Sequence, residues 1–162
     1  MKYISTRGQS TPKTFDEVVL TGLAPDGGLF VPQEIPHFSL REISSWHSYS
    51  YQELAQQIIT PFAGDSIPSG DLALLINDAY SRFSNESVAP LVQTGPNEWV
   101  LELWHGPTLA FKDFALQFLG NLLDYILEKR KQKVVILGAT SGDTGSAAIE
   151  GCRSCSNVDM FI

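Results

Sequence analysis

Val134-Val135-Ile136-Leu137-Gly138-Ala139-Thr140-Ser141-Gly142-Asp143-Thr144-Gly145-Ser146-Ala147-Ala148 is the stretch on which the fold is read. Four apolar residues in a row predict a strand buried on both faces, the signature of a parallel sheet. The run Gly138 to Gly142 reads as a turn, and Gly145 to Gly151 as a short helix. Val158 to Ile162 reads as the next strand. Working backwards, Asp113 to about Lys131 predicts a long helix. Phe114, Phe118, Leu122 and Tyr125 form one stripe, with Ala115, Leu119 and Ile126 beside it. Lys129, Arg130 and Lys131 suit the negative end of its dipole. Trp99 to Leu103 alternates as a strand. Strand, helix, strand, helix, strand predicts an α/β fold with a parallel, doubly wound sheet.

Two segments of this unit carry chemistry. The first is Glu102-Leu103-Trp104-His105-Gly106-Pro107-Thr108-Leu109-Ala110-Phe111-Lys112-Asp113. It places Lys112 at the start of the long helix, where the dipole disfavours a cation. Ala110, Phe111 and Phe114 would desolvate the amine and favour its neutral, nucleophilic form. Schiff-base chemistry and a plain surface lysine both remain open on the residues alone. The second segment is Thr140 to Ser146, a strand-to-helix turn with backbone N–H groups at a helix start. Gly142 and Gly145 let backbone approach a ligand, and Ser141 and Thr144 add hydroxyls. The turn lacks the G-x-G-x-x-G spacing of a dinucleotide loop and the terminal G-K-[ST] of a P-loop, so neither NAD nor ATP is indicated. Its bland alternative is a βα turn with Asp143 or Thr144 as helix cap.

The 162 residues carry 11 basic and 18 acidic side chains, a formal charge of −7, which disfavours nucleic acid as a partner. With 43% hydrophobic and 18% charged residues the chain can build a core. No apolar run approaches the length of a membrane span. Met1 to Gly8 lacks the apolar core of a secretory signal. Two cysteines make no disulfide framework. A soluble cytoplasmic protein is expected.

The first third reads as an α-rich cap. Thr14-Phe15-Asp16-Glu17, Ser39-Leu40-Arg41-Glu42 and Ser50-Tyr51-Gln52-Glu53 are capping boxes that each open a helix. Ala24 to Gly28 is a turn and Leu29 to Pro32 a short strand. Leu54, Ile58 and Phe62 recur at spacing four on a helix that stops near Gly64. After Pro68, Leu72, Leu75, Ile76, Ala79, Tyr80 and Phe83 form a stripe. A boundary near Ser84 to Ser87 would divide an N-terminal domain, residues 1–86, from the start of an α/β domain, residues 87–162. The final segment, Asn157 to Ile162, reads as a strand with no turn after it, so the sequence is expected to be the front part of a longer chain.

The remaining chemistry-bearing residues have quieter readings. His105 reads as a structurally satisfied histidine, and His37 and His47 lie in polar connections. Cys152-Arg153-Ser154-Cys155 has redox or half-zinc spacing without a second ligand pair, so it is expected to end a surface helix, and no metal is assigned.

Taken in order, three motifs resemble one family. Tyr3-Ile4-Ser5-Thr6-Arg7-Gly8 and Phe15 to Pro32 are similar to the opening of threonine synthases; Leu103 to Asp113 resembles their cofactor-lysine segment; Thr140 to Ala148 resembles their substrate loop. The resemblance implies a pyridoxal 5'-phosphate enzyme of the tryptophan-synthase-β-like fold, converting O-phospho-L-homoserine and water to L-threonine and phosphate. It implies that Lys112 holds the cofactor and shuttles protons, and that Asp143 lies near the cofactor ring oxygen. Ser141, Gly142, Thr144 and Gly145 would receive the substrate carboxylate, with Thr108 lining the same pocket. The cradle for the cofactor phosphate has no counterpart among these residues, so the 162-residue piece alone is expected to be inactive. The alternatives are a threonine-synthase-like phospholyase that releases a keto acid, and a non-catalytic anion-binding domain in which Lys112 is an electrostatic contact. Oligomeric state is not read from the sequence.

Overall fold

The computed structural model describes residues 1–162. It divides into two compact units, residues 1–73 and 74–162. In the first, β1 (Tyr3–Ser5) pairs antiparallel with β2 (Phe30–Pro32). The three capping boxes start α1 (Phe15–Thr21), α2 (Leu40–Ser45) and α3 (Tyr51–Ala63), as expected. In each, the glutamate carboxylate accepts the backbone N–H of the cap residue at 2.7 Å. This occupies a donor that the helix itself cannot use. α3 ends at Gly64, whose φ of 56° explains the glycine. Its apolar stripe is less buried than the spacing implies: Ile58 is exposed, and Ala63 is the helix's one fully buried residue.

α4 (Ser69–Tyr80) buries Leu72, Ile76, Ala79 and Tyr80 at helical spacing. In the second unit Phe83 packs edge-on against Phe114 and tilts against Tyr80. β3 (Leu91–Gly95) and β4 (Glu98–Leu101) then form an antiparallel hairpin. The sequence reading missed β3 and placed the 99–103 strand in the parallel series. The hairpin corrects this, since Gln93, Thr94, Gly95 and Pro96 look like loop but lie in or beside the pairing.

α5 (Asp113–Arg130) leads into β5 (Val134–Leu137), and α6 (Asp143–Cys152) leads into β6 (Val158–Phe161). β5 and β6 pair in parallel, Val134 opposite Val158 and Leu137 opposite Phe161. The architecture is α/β. The expected two-sided burial of β5 is not met, because Val135 is 66% and Leu137 84% exposed. Here β5 has one neighbouring strand, β6, and no cover over the face that carries these two side chains.

The α5–α6 packing holds this unit together. A methyl group added to Gly120 would run into the Gly151 carbonyl, and one on Gly151 would run into the Leu116 carbonyl. The two backbones therefore touch directly, with buried Ala147 alongside. This face, rather than the Phe114–Phe118 stripe, is the most buried side of α5. Asp113, Gln117, Gly120, Leu123 and Leu127 are buried on it; Leu122 and Ile126 of the expected stripe are buried as well, while Phe114 and Phe118 are half-buried and Ala115 is exposed.

Candidate active site

Lys112 is placed by the residue that follows it. Asp113, the first residue of α5, is fully buried. Its Oδ2 accepts the Thr108 N–H at 2.8 Å and its Oδ1 accepts the Thr108 hydroxyl at 2.9 Å. Gln117 Nε2 adds a third bond to Oδ1 at 3.1 Å. A carboxylate at a helix N-terminus also complements the dipole, and a buried charge with its lone pairs occupied avoids most of its desolvation penalty. The segment 106–113 is shaped to allow this. Gly106 is pressed against the Asp113 carboxyl so closely that any side chain there would collide with it. Leu109 takes a φ of 63°, a conformation costly for a branched-chain residue and held here by the turn it closes, its N–H donating to the Gly106 carbonyl.

The Lys112 side chain leaves this clamp half-exposed, its Nζ 4.5 Å from the centre of the Phe111 ring. Phe111 is 59% exposed. The sequence leads one to expect an amine enclosed by apolar neighbours, and the residues of this chain do not enclose it. Phe114 turns instead toward Phe83. His105 is satisfied structurally: its Nε2 lies 2.6 Å from Glu102 Oε2, and its carbonyl accepts the Ser84 N–H.

In the second segment α6 begins at Asp143, two residues earlier than the sequence predicts, with Gly142 (φ 138°) as its cap residue. The cap is supplied by neither Asp143 nor Thr144. Thr140 does it from upstream, its Oγ1 accepting the Gly142 N–H at 3.2 Å and the Gly145 N–H at 3.1 Å. Sequence reasoning missed Thr140 because the residue sits outside the usual cap position. Ser141, Gly142, Asp143 and Thr144 are exposed, and Gly145 is buried against Thr140 and Ile162. The N–H groups of a first helical turn have no intrahelical acceptor, so those of Asp143 and Thr144 are available to an anion.

The two segments meet through helix register. Gln117, five residues beyond Lys112, donates through Nε2 to the carbonyl of Ala147, five residues beyond Gly142, at 3.4 Å. Further along, Cys155 Sγ donates to the Gly120 carbonyl, and Asp124 Oδ1 accepts the N–H groups of Ser156 and Asn157. The contacts advance together along both helices, so α5 and α6 run in the same direction. Their N-termini, bearing Lys112 and Gly142 to Thr144, lie at the same end of the pair, beside the carboxyl end of β5. Open α/β sheets bind ligands at that edge.

Comparison with known proteins fits this geometry. Residues 2–80 match the family model described as threonine synthase N terminus. A threonine synthase of Pseudomonas aeruginosa is 59% identical over 162 residues, which are 100% of this chain and 34% of that protein. A threonine synthase-like 2 protein of Xenopus laevis is 45% identical over 163 residues, 100% of this chain and 34% of that one. The crystal structure of a pyridoxal phosphate-bound threonine synthase from Brucella melitensis superposes with a TM-score of 0.98 at 50% identity, over 100% of this chain and 35% of that one. The chain is similar to threonine synthases along its whole length. It spans about a third of the length of the relatives it matches. No helix is long and apolar enough to cross a membrane, and no cluster of three or more metal-ligating side chains is present.

Proposed function

We propose that the whole protein uses pyridoxal 5'-phosphate to convert O-phospho-L-homoserine and water to L-threonine and phosphate, and that these residues supply its lysine and its substrate-carboxylate loop. One observation carries the reading: the shared direction of α5 and α6, which sets an amine and a row of helix-start amides at one sheet edge. The donor set fits the cofactor's chemistry. Lys112 offers a reachable primary amine, pinned at its backbone by the Asp113 clamp and resting on an aromatic ring rather than a carboxylate. When bound, the cofactor supplies an electron sink for carbanion chemistry.

The chain's own residues have separate tasks in this proposal. Lys112 Nζ binds the cofactor and then holds and moves protons at the substrate's carbon atoms. The N–H groups of Thr144 and its neighbours, with the hydroxyls of Ser141 and Thr144, receive the substrate carboxylate, while Gly142 and Gly145 let the backbone approach it. Asp143 would lie near the cofactor ring oxygen. Thr108 lines the pocket while its hydroxyl donates to Asp113 Oδ1. The residues that grip the cofactor phosphate are outside this set. We also propose that β5 and β6 belong to a larger parallel, doubly wound sheet, which would cover Val135 and Leu137. Residues 1–86 then form the N-terminal domain and 87–162 the start of the catalytic one, a division supported by a family match that stops at residue 80.

Phosphate elimination giving a keto acid is the second reading, kept because a threonine synthase-like 2 protein shares 45% of these residues. Product analysis of the full-length protein with O-phospho-L-homoserine tests both. Threonine with equimolar phosphate supports the proposal, a keto acid with phosphate selects the second reading, and no phosphate release removes both.

A further inference from the structure

The Cys152-Arg153-Ser154-Cys155 turn has no part in the proposed chemistry, yet its geometry is specific. Cys152 is the last residue of α6, and the Cys155 N–H donates to the Cys152 carbonyl at 3.0 Å. A four-residue turn closed by that bond keeps its end Cα atoms within roughly 7 Å, and a disulfide needs about 4.4–6.8 Å. Both cysteines are half-exposed. Cys155 also lines an open cavity of about 220 Å³ with Asp78, Asn121, Asp124 and Ser154, large enough to admit a small thiol reagent.

We propose that Cys152 and Cys155 are a redox-active dithiol that a low-molecular-weight disulfide oxidises to an intramolecular disulfide. Cys152 is the attacking sulfur. The S–H of Cys155 is engaged by the Gly120 carbonyl, which favours the thiol over the thiolate there and leaves Cys152 the readier nucleophile. Cys155, held as a thiol by that bond, is the resolving partner. The Cys152 thiolate attacks one sulfur of the oxidant and forms a mixed disulfide, releasing one thiolate. Cys155 then loses its proton, attacks the Cys152 sulfur and releases the second. The protein gives up two electrons and two protons, and the oxidant leaves as two thiols. In the oxidised form Cys155 can no longer donate its S–H to the Gly120 carbonyl, where α5 and α6 cross.

The test uses the full-length protein with glutathione disulfide, followed by alkylation of free thiols and tryptic mass mapping. Cleavage after Arg153 separates the two cysteines, so a disulfide joins the peptide 134–153 to the one beginning at Ser154. The joined peptides should accumulate and revert on reduction. Cys155→Ser should trap glutathione on Cys152, and Cys152→Ser should slow modification of Cys155 about tenfold or more, following the loss of the better thiolate. Full alkylation of both cysteines at high oxidant, or glutathione lodging on Cys155 in preference to Cys152, would overturn the proposal. This outcome is independent of whether the protein makes threonine.

Discussion

Asp113 and Thr108 are joined twice, by the Thr108 N–H to Oδ2 and by the Thr108 hydroxyl to Oδ1, at 2.8 and 2.9 Å. The bonds close the loop that presents Lys112 and use a fully buried carboxylate to do it. Asp113→Ala should cost about 2–4 kcal/mol, because it strands the Thr108 N–H and Gln117 Nε2 in a dry site. Urea unfolding of the full-length protein measures the loss. Thr108→Val, which removes only the hydroxyl, should cost about 1 kcal/mol. Equal stabilities for wild type and Asp113→Ala would mean the clamp is not needed.

The α5–α6 crossing gives a contrast between glycines. Gly151→Ala should destabilise by about 1–3 kcal/mol or more, since its methyl meets the Leu116 carbonyl. Gly70→Ala in α4 meets nothing within 4 Å. It should stabilise by about 0.5–1 kcal/mol through helix propensity. Thermal unfolding of the two variants should shift in opposite directions.

Thr140→Val removes the oxygen that accepts the Gly142 and Gly145 N–H groups. A lost helix cap costs about 1 kcal/mol. If the turn receives the substrate carboxylate, the variant's KM should rise about tenfold with a smaller change in kcat. An unchanged KM would separate the turn from substrate.

Acid sensitivity in the first unit centres on Asp26. Its carboxylate accepts the Ser5 hydroxyl at 2.7 Å and the N–H groups of Gly28 and Gln9 at 3.0 Å, and these bonds lower its pKa to about 2, with the Ser5 bond the largest cause. An unfolded aspartate titrates near about 3.9. The stabilisation is therefore complete above that value and is lost as pH falls toward about 2. Asp26→Asn should lower stability at neutral pH and flatten its fall between these limits, as read from unfolding midpoints across the acid range.

The parts of this structure that were legible in the sequence are those set by local chemistry. The three capping boxes, the Gly64 stop and the start of α5 at Asp113 follow from residues within a few positions of each other. The parts that were not legible depend on neighbours distant in sequence. Gln117, Gly120 and Gly151 look unremarkable until α6 lies across α5, and of the expected stripe Leu122 and Ile126 are buried while Phe114 and Phe118 are half-buried. β3 stayed hidden because Gln93 and Thr94 carry no apolar alternation. The candidate site was legible as two motifs. Their common end of the helix pair was not, since the direction of packing is fixed by contacts between residues distant in sequence, Gln117 with Ala147 and Gly120 with Cys155.

The most direct measurement is the position of the cofactor's covalent attachment. The full-length protein, loaded with pyridoxal phosphate, reduced with borohydride and digested, should carry a pyridoxyl phosphate group on Lys112, and Lys112→Ala should abolish both the label and the associated absorbance band. Labelling of another lysine, or an undiminished band in Lys112→Ala, would contradict the account.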